Sequence, residues 1–185
     1  DTLLGPEMRS TGEVMGIDTT FGLAFAKSQS AAGDELPSSG SVFLSLADRD
    51  KGGGLWVAMR FVELGFSLVA TAGTAKFLEA NGIPVETVVA KVGVEGGGLD
   101  SAGADGVEMI RSGKVQLVVN TPRGVGPRAD GAHIRRAANV AQVACLTTVA
   151  AARAAAAGIA DRSRHPFAVR SLQEYQADGQ QRLDV

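Results

Sequence analysis

From Ser41 onward the chain has one dominant rhythm, in which short apolar bursts alternate with longer amphipathic or alanine-rich stretches. A strand and a helix that must each bury one side produce this pattern when they repeat in an α/β sheet. The first burst, Ser41 to Ala47, predicts a strand. Leu55, Ala58, Met59 and Val62 then fall on one helical face that ends before Gly65. Phe66 to Thr71 predicts a second strand, followed by a short helix capped by Thr74 and stopped at Asn81 and Gly82, ahead of Pro84. Val85 to Ala90 reads as a third strand. A helix around Asp105 to Arg111 leads into Val115 to Asn120, an apolar run of the kind buried on both faces of a parallel sheet. Asp130 is placed to cap the next helix, and Val143 to Leu146 predicts a fifth strand. Thr147 is expected to cap the alanine-rich helix that ends at Gly158, and Phe167 to Gln176 is the last helix. The fold class is therefore α/β: a doubly wound, mostly parallel five-stranded sheet flanked by helices, with ligands expected at the carboxyl ends of its strands.

The stretch Ala31 to Gly40, AAGDELPSSG, has small and polar residues, Gly and Pro, and no apolar period, so residues 31–40 are expected to be a linker. The chain opens on Asp1, and residues 1–30 are expected to be the tail of a preceding unit, with the α/β domain at 41–185. No run of about 18 apolar residues is present to span a bilayer, and the opening residues lack the basic and apolar regions of a signal peptide. A formal charge of −2 supplies no global field for nucleic acid or an anionic membrane. The single cysteine, Cys145, makes no internal disulfide and lies in an apolar run, which suits a core position and a reducing, cytoplasmic setting. His133 and His165 stand alone, without metal-ligand spacing, so no metal site is expected.

Chemistry-bearing residues follow four successive predicted strands. They are Asp48, Asp50 and Lys51 after the first, Thr71, Gly73 and Thr74 after the second, Lys91 after the third, and Asn120 and Thr121 after the fourth. In a Thr-Ala-Gly-Thr turn, glycine admits a close ligand, two hydroxyls donate, and the following helix N-terminus attracts an anion, so phosphate is the natural guest. Lys51 and Lys91 bring point charges, and the Asn120 amide can orient a base or a sugar hydroxyl. Arg123, Arg128, Arg135 and Arg136 form a local basic cluster, read mainly as a solvated face. Bases for catalysis are limited to Asp48, Asp50, Asp100 and Asp105, and no Ser/His/Asp or Cys/His set is visible, so no catalytic residue is assigned.

The segment GPEMRSTGEVMG, Gly5 to Gly16, resembles the closing signature of the second synthetic half of the carbamoyl-phosphate synthase large subunit. Beyond it the chain is similar to the allosteric domain that ends that subunit, of methylglyoxal-synthase-like fold. The shared marks are Asp50-Lys51, Gly65-Phe66, ATAGTA at Ala70 to Ala75, Lys91, LVVNTP at Leu117 to Pro122, IRRAA at Ile134 to Ala138, and Thr147-Thr148. The resemblance implies allosteric control of carbamoyl phosphate synthesis for pyrimidine and arginine biosynthesis. UMP would inhibit, and IMP or ornithine would activate. It implies an effector site at Lys51, Thr71, Gly73, Thr74, Lys91, Asn120 and Thr121, and an ornithine contact at Thr147. It also implies partners: the synthetic domains of the same subunit, a glutaminase small subunit, and self-association. This chain itself would need no cofactor, while the parent ATP-dependent ligase would use ATP with Mg or Mn. The alternative within the same fold is a lyase acting on dihydroxyacetone phosphate, with Asp100 or Asp105 as base. Three departures stand out: Gly52 to Gly54 in place of helix formers, which is expected to loosen the turn presenting Lys51; Pro122 in place of a hydroxyl; and an enlarged loop, Gly96 to Gly106.

Overall fold

The computed structural model describes residues 14–90, 104–121 and 130–183, and for residues 90, 104, 105, 130 and 178–183 the backbone only. Its elements are α1 (Phe21–Ala32), β1 (Ser41–Ser45), a 3-10 turn (Asp48–Asp50), α2 (Lys51–Glu63), β2 (Ser67–Thr71), α3 (Ala72–Ala80), β3 (Thr87–Ala90), β4 (Ala104–Asp105), α4 (Gly106–Arg111), β5 (Leu117–Asn120), α5 (Asp130–Val140), β6 (Ala144–Leu146), α6 (Val149–Arg164) and α7 (Leu172–Leu183). The strands form one sheet of six in the order β4-β3-β2-β1-β5-β6, and each pairing is parallel. All five expected strands are present. The sixth, β4, pairs with the end of β3 through two residues, too short to carry a periodic signal.

Alternation along the strands fills two cores. Val42, Leu44, Leu68, Ala70, Leu117 and Val119 face α2, α3 and α6, whose Val57, Phe61, Leu78, Ala155 and Ile159 complete that side. Phe43, Val69, Val89 and Val118 face α4 and α5, through Ile110, Ile134 and Ala138. Each fully buried Val, Leu, Ile or Phe among these contributes about 1.5–3 kcal/mol relative to exposure. The chain winds outward from β1 to β4, then crosses back to place β5 and β6 on the other side of β1, so the switch point lies between β1 and β5.

Two glycine-dependent contacts correct expectations. The alanine-rich helix does not stop at Gly158; α6 runs on to Arg164. A Cβ at Gly158 would lie 2.9 Å from the Gly22 carbonyl oxygen and 3.1 Å from Ala26 Cβ, so this glycine marks the crossing of α6 with α1. Residues 21–32 thus share a core with the α/β unit, and Leu36, inside the expected linker 31–40, is buried with them. Thr20 caps α1 by accepting from Leu23 N–H and donates to Asp161 of α6 at 2.6 Å. Nor do Gly52 to Gly54 loosen a turn: they form the first turn of α2 itself. A Cβ at Gly54 would collide with Leu46 Cδ1, and one at Gly53 would lie 3.1 Å from Val149, so small residues let α2 approach both β1 and α6.

The C-terminal segment also departs from expectation. Residues 166–171 are irregular, and α7 begins at Leu172, because Ser171 and Glu174 form a reciprocal cap: Ser171 N–H donates to the Glu174 carboxylate and Glu174 N–H to Ser171 Oγ. The segment is pinned to α1 by Lys27, which donates to the Ala168 carbonyl at 2.6 Å and to Tyr175 Oη at 2.9 Å and pairs with Asp18 at 2.7 Å. Burial alone would raise the Asp18 carboxyl and lower the Lys27 ammonium, but their mutual hydrogen bond, with Tyr175 helping the lysine, reverses both directions.

The glycine contacts predict opposite effects of one substitution at neighbouring sites. Gly54→Ala is expected to destabilise the chain by about 1–3 kcal/mol through overpacking on Leu46. Gly52→Ala, exposed and with open space around its Cβ position, is expected to stabilise it by about 0.5–1 kcal/mol. Urea unfolding of both variants measures this, and equal shifts of the same sign would contradict the packing described.

Candidate functional site

The carboxyl edge of the sheet gathers the residues that the strand ends deliver. Ser45 of β1 sits in register with Asn120 of β5, and Thr121 N–H extends that ladder to the Ser45 carbonyl at 3.0 Å. On the other side of β1, the end of β2 passes directly into α3, with Thr71 in extended backbone conformation as its N-cap residue. Thr74 is not the cap; it lies inside the first turn of α3, wholly buried.

Thr74 and Thr121 perform a task that sequence reasoning did not assign. Leu46 N–H donates to Thr74 Oγ1 at 3.0 Å, and Ala47 N–H donates to Thr121 Oγ1 at 2.7 Å. The chain leaving β1 is therefore braced from both neighbouring strands, across the switch point. Thr71 Oγ1 donates to Thr74 Oγ1 at 3.1 Å, which joins the two threonines of the Thr-Ala-Gly-Thr turn. Gly73 is exposed between them, in the first turn of α3, where main-chain N–H groups have no partner within the helix.

Lys51 opens α2 beyond the brace. Its ammonium pairs with Asp48 at 2.7 Å and lies 6.0 Å from the Phe77 ring centre, with the side chain 17% exposed. Asp48, considered above as a base, is 78% exposed, so this ion pair is a weak, displaceable one. Asn120 is buried, and its Oδ1 accepts from Arg135 Nη1 of α5 at 3.2 Å. Arg135, read from sequence only as one member of a basic cluster, reaches this edge, whereas Arg136 and His133 are exposed on α5. The structure thus brings Lys51, Thr71, Gly73, Thr74, Asn120 and Thr121 to adjoining strand ends. Lys91, Asp100, Pro122, Arg123 and Arg128 lie outside the described residues, as does most of the Gly96 to Gly106 loop.

Thr147 follows β6 and is partly buried, but the cap of α6 is Thr148, whose hydroxyl accepts from Ala151 N–H at 3.1 Å. Cys145, on β6, packs against the second core, and burial pushes its thiol from the ordinary 9.0 to about 11, against the pull of the Arg135 charge. Among the described residues no group of acidic, histidine and cysteine side chains could hold a metal ion, and no helix is long and apolar enough to cross a membrane.

Hydroxyls, an amide, a lysine and a helix N-terminus thus stand at the carboxyl ends of three adjacent strands of a parallel α/β sheet, the edge at which domains of this architecture hold their ligands. Residues 53–147 match the family of MGS-like domains, and the chain belongs to that family. It is also similar to proteins named carbamoyl phosphate synthase large chain: 52% identical over 181 residues in Micrococcus luteus, covering 98% of this chain, and 52% over 178 residues in Rubrobacter xylanophilus, covering 96%. The corresponding protein of Mycobacterium sp. (strain JLS) is 50% identical over 179 residues. In each case the chain spans 16% of the relative's length. These names do not favour the lyase alternative.

Two outcomes follow from the geometry. Thr74→Val and Thr121→Val each strand a buried main-chain N–H and are expected to cost about 1–3 kcal/mol in urea unfolding; wild-type stability in both would remove the brace. Cys145 in the native chain is expected to react with a thiol reagent at pH 8 on the order of a hundredfold more slowly than in the unfolded chain. Because its folded value is raised, the stabilisation from the neutral thiol is present below 9.0 and is lost as pH rises through about 11.

Proposed function

We propose that this chain is the effector-binding regulatory domain of a carbamoyl-phosphate synthase large subunit, holding a pyrimidine nucleotide, UMP, at the carboxyl edge of its sheet. The observation that carries the reading is the agreement between near-complete coverage of the chain by relatives of that name and the gathering of Lys51, Thr71, Gly73, Thr74, Asn120 and Thr121 at adjoining strand ends. The phosphate would sit at the N-terminus of α3 against Gly73 and the Thr71 hydroxyl, where N–H groups and helix dipole favour an anion. Lys51 would leave Asp48 for the phosphate, and Lys91 would add a second cation. Thr74 and Thr121 would act mainly by holding the residues that follow β1 in place.

Regulation would follow from what the site is packed on. A ligand that orders residues 46–51 acts on the start of α2, which meets α6 at Gly53 and Val149; α6 in turn crosses α1 at Gly158. A ligand with unequal affinity for two arrangements of these helices shifts the balance between them. UMP would inhibit the whole enzyme and IMP would activate it. Ornithine would act near Thr147, with the synthetic domains supplying the remaining contacts. The ATP and metal sites, and the glutaminase subunit, would lie in the parts of the enzyme outside this chain, which would make carbamoyl phosphate for pyrimidine and arginine synthesis.

The test is calorimetric titration of the 185-residue chain with UMP and with IMP, alongside the thermal midpoint, since a ligand that binds the folded state raises it. Saturable UMP binding is expected, weakened at least about tenfold in Lys51→Met and in Lys91→Ala. These variants are more informative than Thr74→Ala, which also removes the partner of Leu46 N–H. Absence of binding, or affinities unchanged in both lysine variants, would defeat the assignment.

A further inference from the structure

We propose that Arg135 is a positioning residue of the strand-end site: by occupying the oxygen end of the Asn120 amide, it sets that amide to offer a hydrogen-bond donor to a ligand. The inference rests on the reading of this edge as an effector pocket and adds to it a rule of selectivity. Asn120 closes β5 with its side chain buried, at the switch point beside β1. An Asn side chain has two nearly isosteric ends, one accepting and one donating, and turning it over exchanges them at little steric cost. A guanidinium only donates. With Arg135 Nη1 at 3.2 Å, the end of Asn120 that faces it must therefore be Oδ1, and Nδ2 is left as the other end.

The backbone of α5 comes close over this pair, which requires glycine at residue 131. Gly131 lies over the pair so closely that a Cβ there would sit 2.8 Å from both Arg135 Nη1 and Asn120 Oδ1, and 3.3 Å from Nδ2. Glycine at 131 leaves the pair the space that a Cβ would take, and four positions separate Gly131 from Arg135, about one helical turn. Gly131, Asn120 and Arg135 work as a unit in which the helix holds the arginine and the arginine holds the amide. A ligand reaching Asn120 then meets an N–H group next to a fixed positive charge. The site selects an atom that accepts, such as a carbonyl or phosphate oxygen, and disfavours an amine at that position.

The test compares Arg135→Lys, which keeps donor-only chemistry, with Arg135→Gln, which can donate or accept and so releases the amide. The first readout needs no ligand. The Asn120 side-chain NH2 pair in a proton–nitrogen correlation spectrum, assigned by its loss in Asn120→Asp, is expected to be sharp and dispersed in the wild type and in Arg135→Lys, and collapsed toward free-amide positions or broadened in Arg135→Gln. Gly131→Ala, which presses a methyl on the pair, should disturb the same resonances. The second readout is UMP affinity, expected within about threefold of wild type in Arg135→Lys and at least about tenfold weaker in Arg135→Gln, with circular dichroism establishing that each variant is folded. Asn120 resonances unchanged in Arg135→Gln, or affinity lost equally in both arginine variants, would overturn the positioning role. If Arg135→Gln does not fold, the resonances in Gly131→Ala and Arg135→Lys decide it by the same criterion. A wild-type chain that does not bind UMP would defeat the effector reading alone, and the amide spectrum would still judge the positioning.

Discussion

Two buried hydroxyls hold the carboxyl edge of this sheet together. Where β1 ends, the ladder ends, and the N–H groups of Leu46 and Ala47 turn inward with no strand partner. Buried main-chain donors are costly unless satisfied. Thr74 satisfies one from the β2 side and Thr121 the other from the β5 side, so the segment that starts α2 is tied to both neighbours of the central strand. Lys51, Asp48 and Gly73 take their positions from that tie. The same hydroxyls that a sequence reading assigns to a ligand are first of all partners of the backbone, and any binding role is built on a structural one.

The second constraint is small side chains where helices must come close. Gly54 lets α2 sit on Leu46, Gly158 and Gly22 let α6 cross α1, and Gly131 lets α5 cover Asn120. The run of alanines in α6, with Ala152, Ala154, Ala155 and Ala156 all buried, belongs to the same design: a helix packed between α1 on one side and the sheet with α2 on the other has no room for larger residues. Each close approach also passes position from one element to the next. The strand-end site is thereby connected through α2 and α6 to α1, which Lys27 joins in turn to the C-terminal segment.

Much of the fold was legible because burial on a parallel sheet writes itself into local sequence. The apolar runs at Val42 to Leu44, Leu68 to Ala70 and Leu117 to Val119 are strands sandwiched between helices, and the period change after each marks a crossover. The glycines are the residues whose role local sequence hides most. From sequence Gly52 to Gly54 read as a loosened turn and Gly158 as a helix stop, since glycine commonly serves in both places. Their actual reason is the neighbour that would occupy the space of a Cβ, which no local pattern displays. The cap at Ser171 is different: the Ser-x-x-Glu spacing stands in the sequence, four residues beyond Phe167, where the helix was expected to begin.

By itself, then, the sequence determined the α/β class, the order of five of the six strands and the helices between them, the strand ends where polar residues collect, and the family to which the chain belongs, because each is carried by residue type and spacing along the chain. Tertiary structure alone decided which threonine caps and which one braces, that residues 21–32 join the main core, that Lys51 rests on Asp48, and that Arg135 rather than its neighbours reaches Asn120. Those are matters of which groups meet across long separations in the chain. The directional hydrogen bonds and the few tenths of an ångström that settle them exist only after the helices have packed.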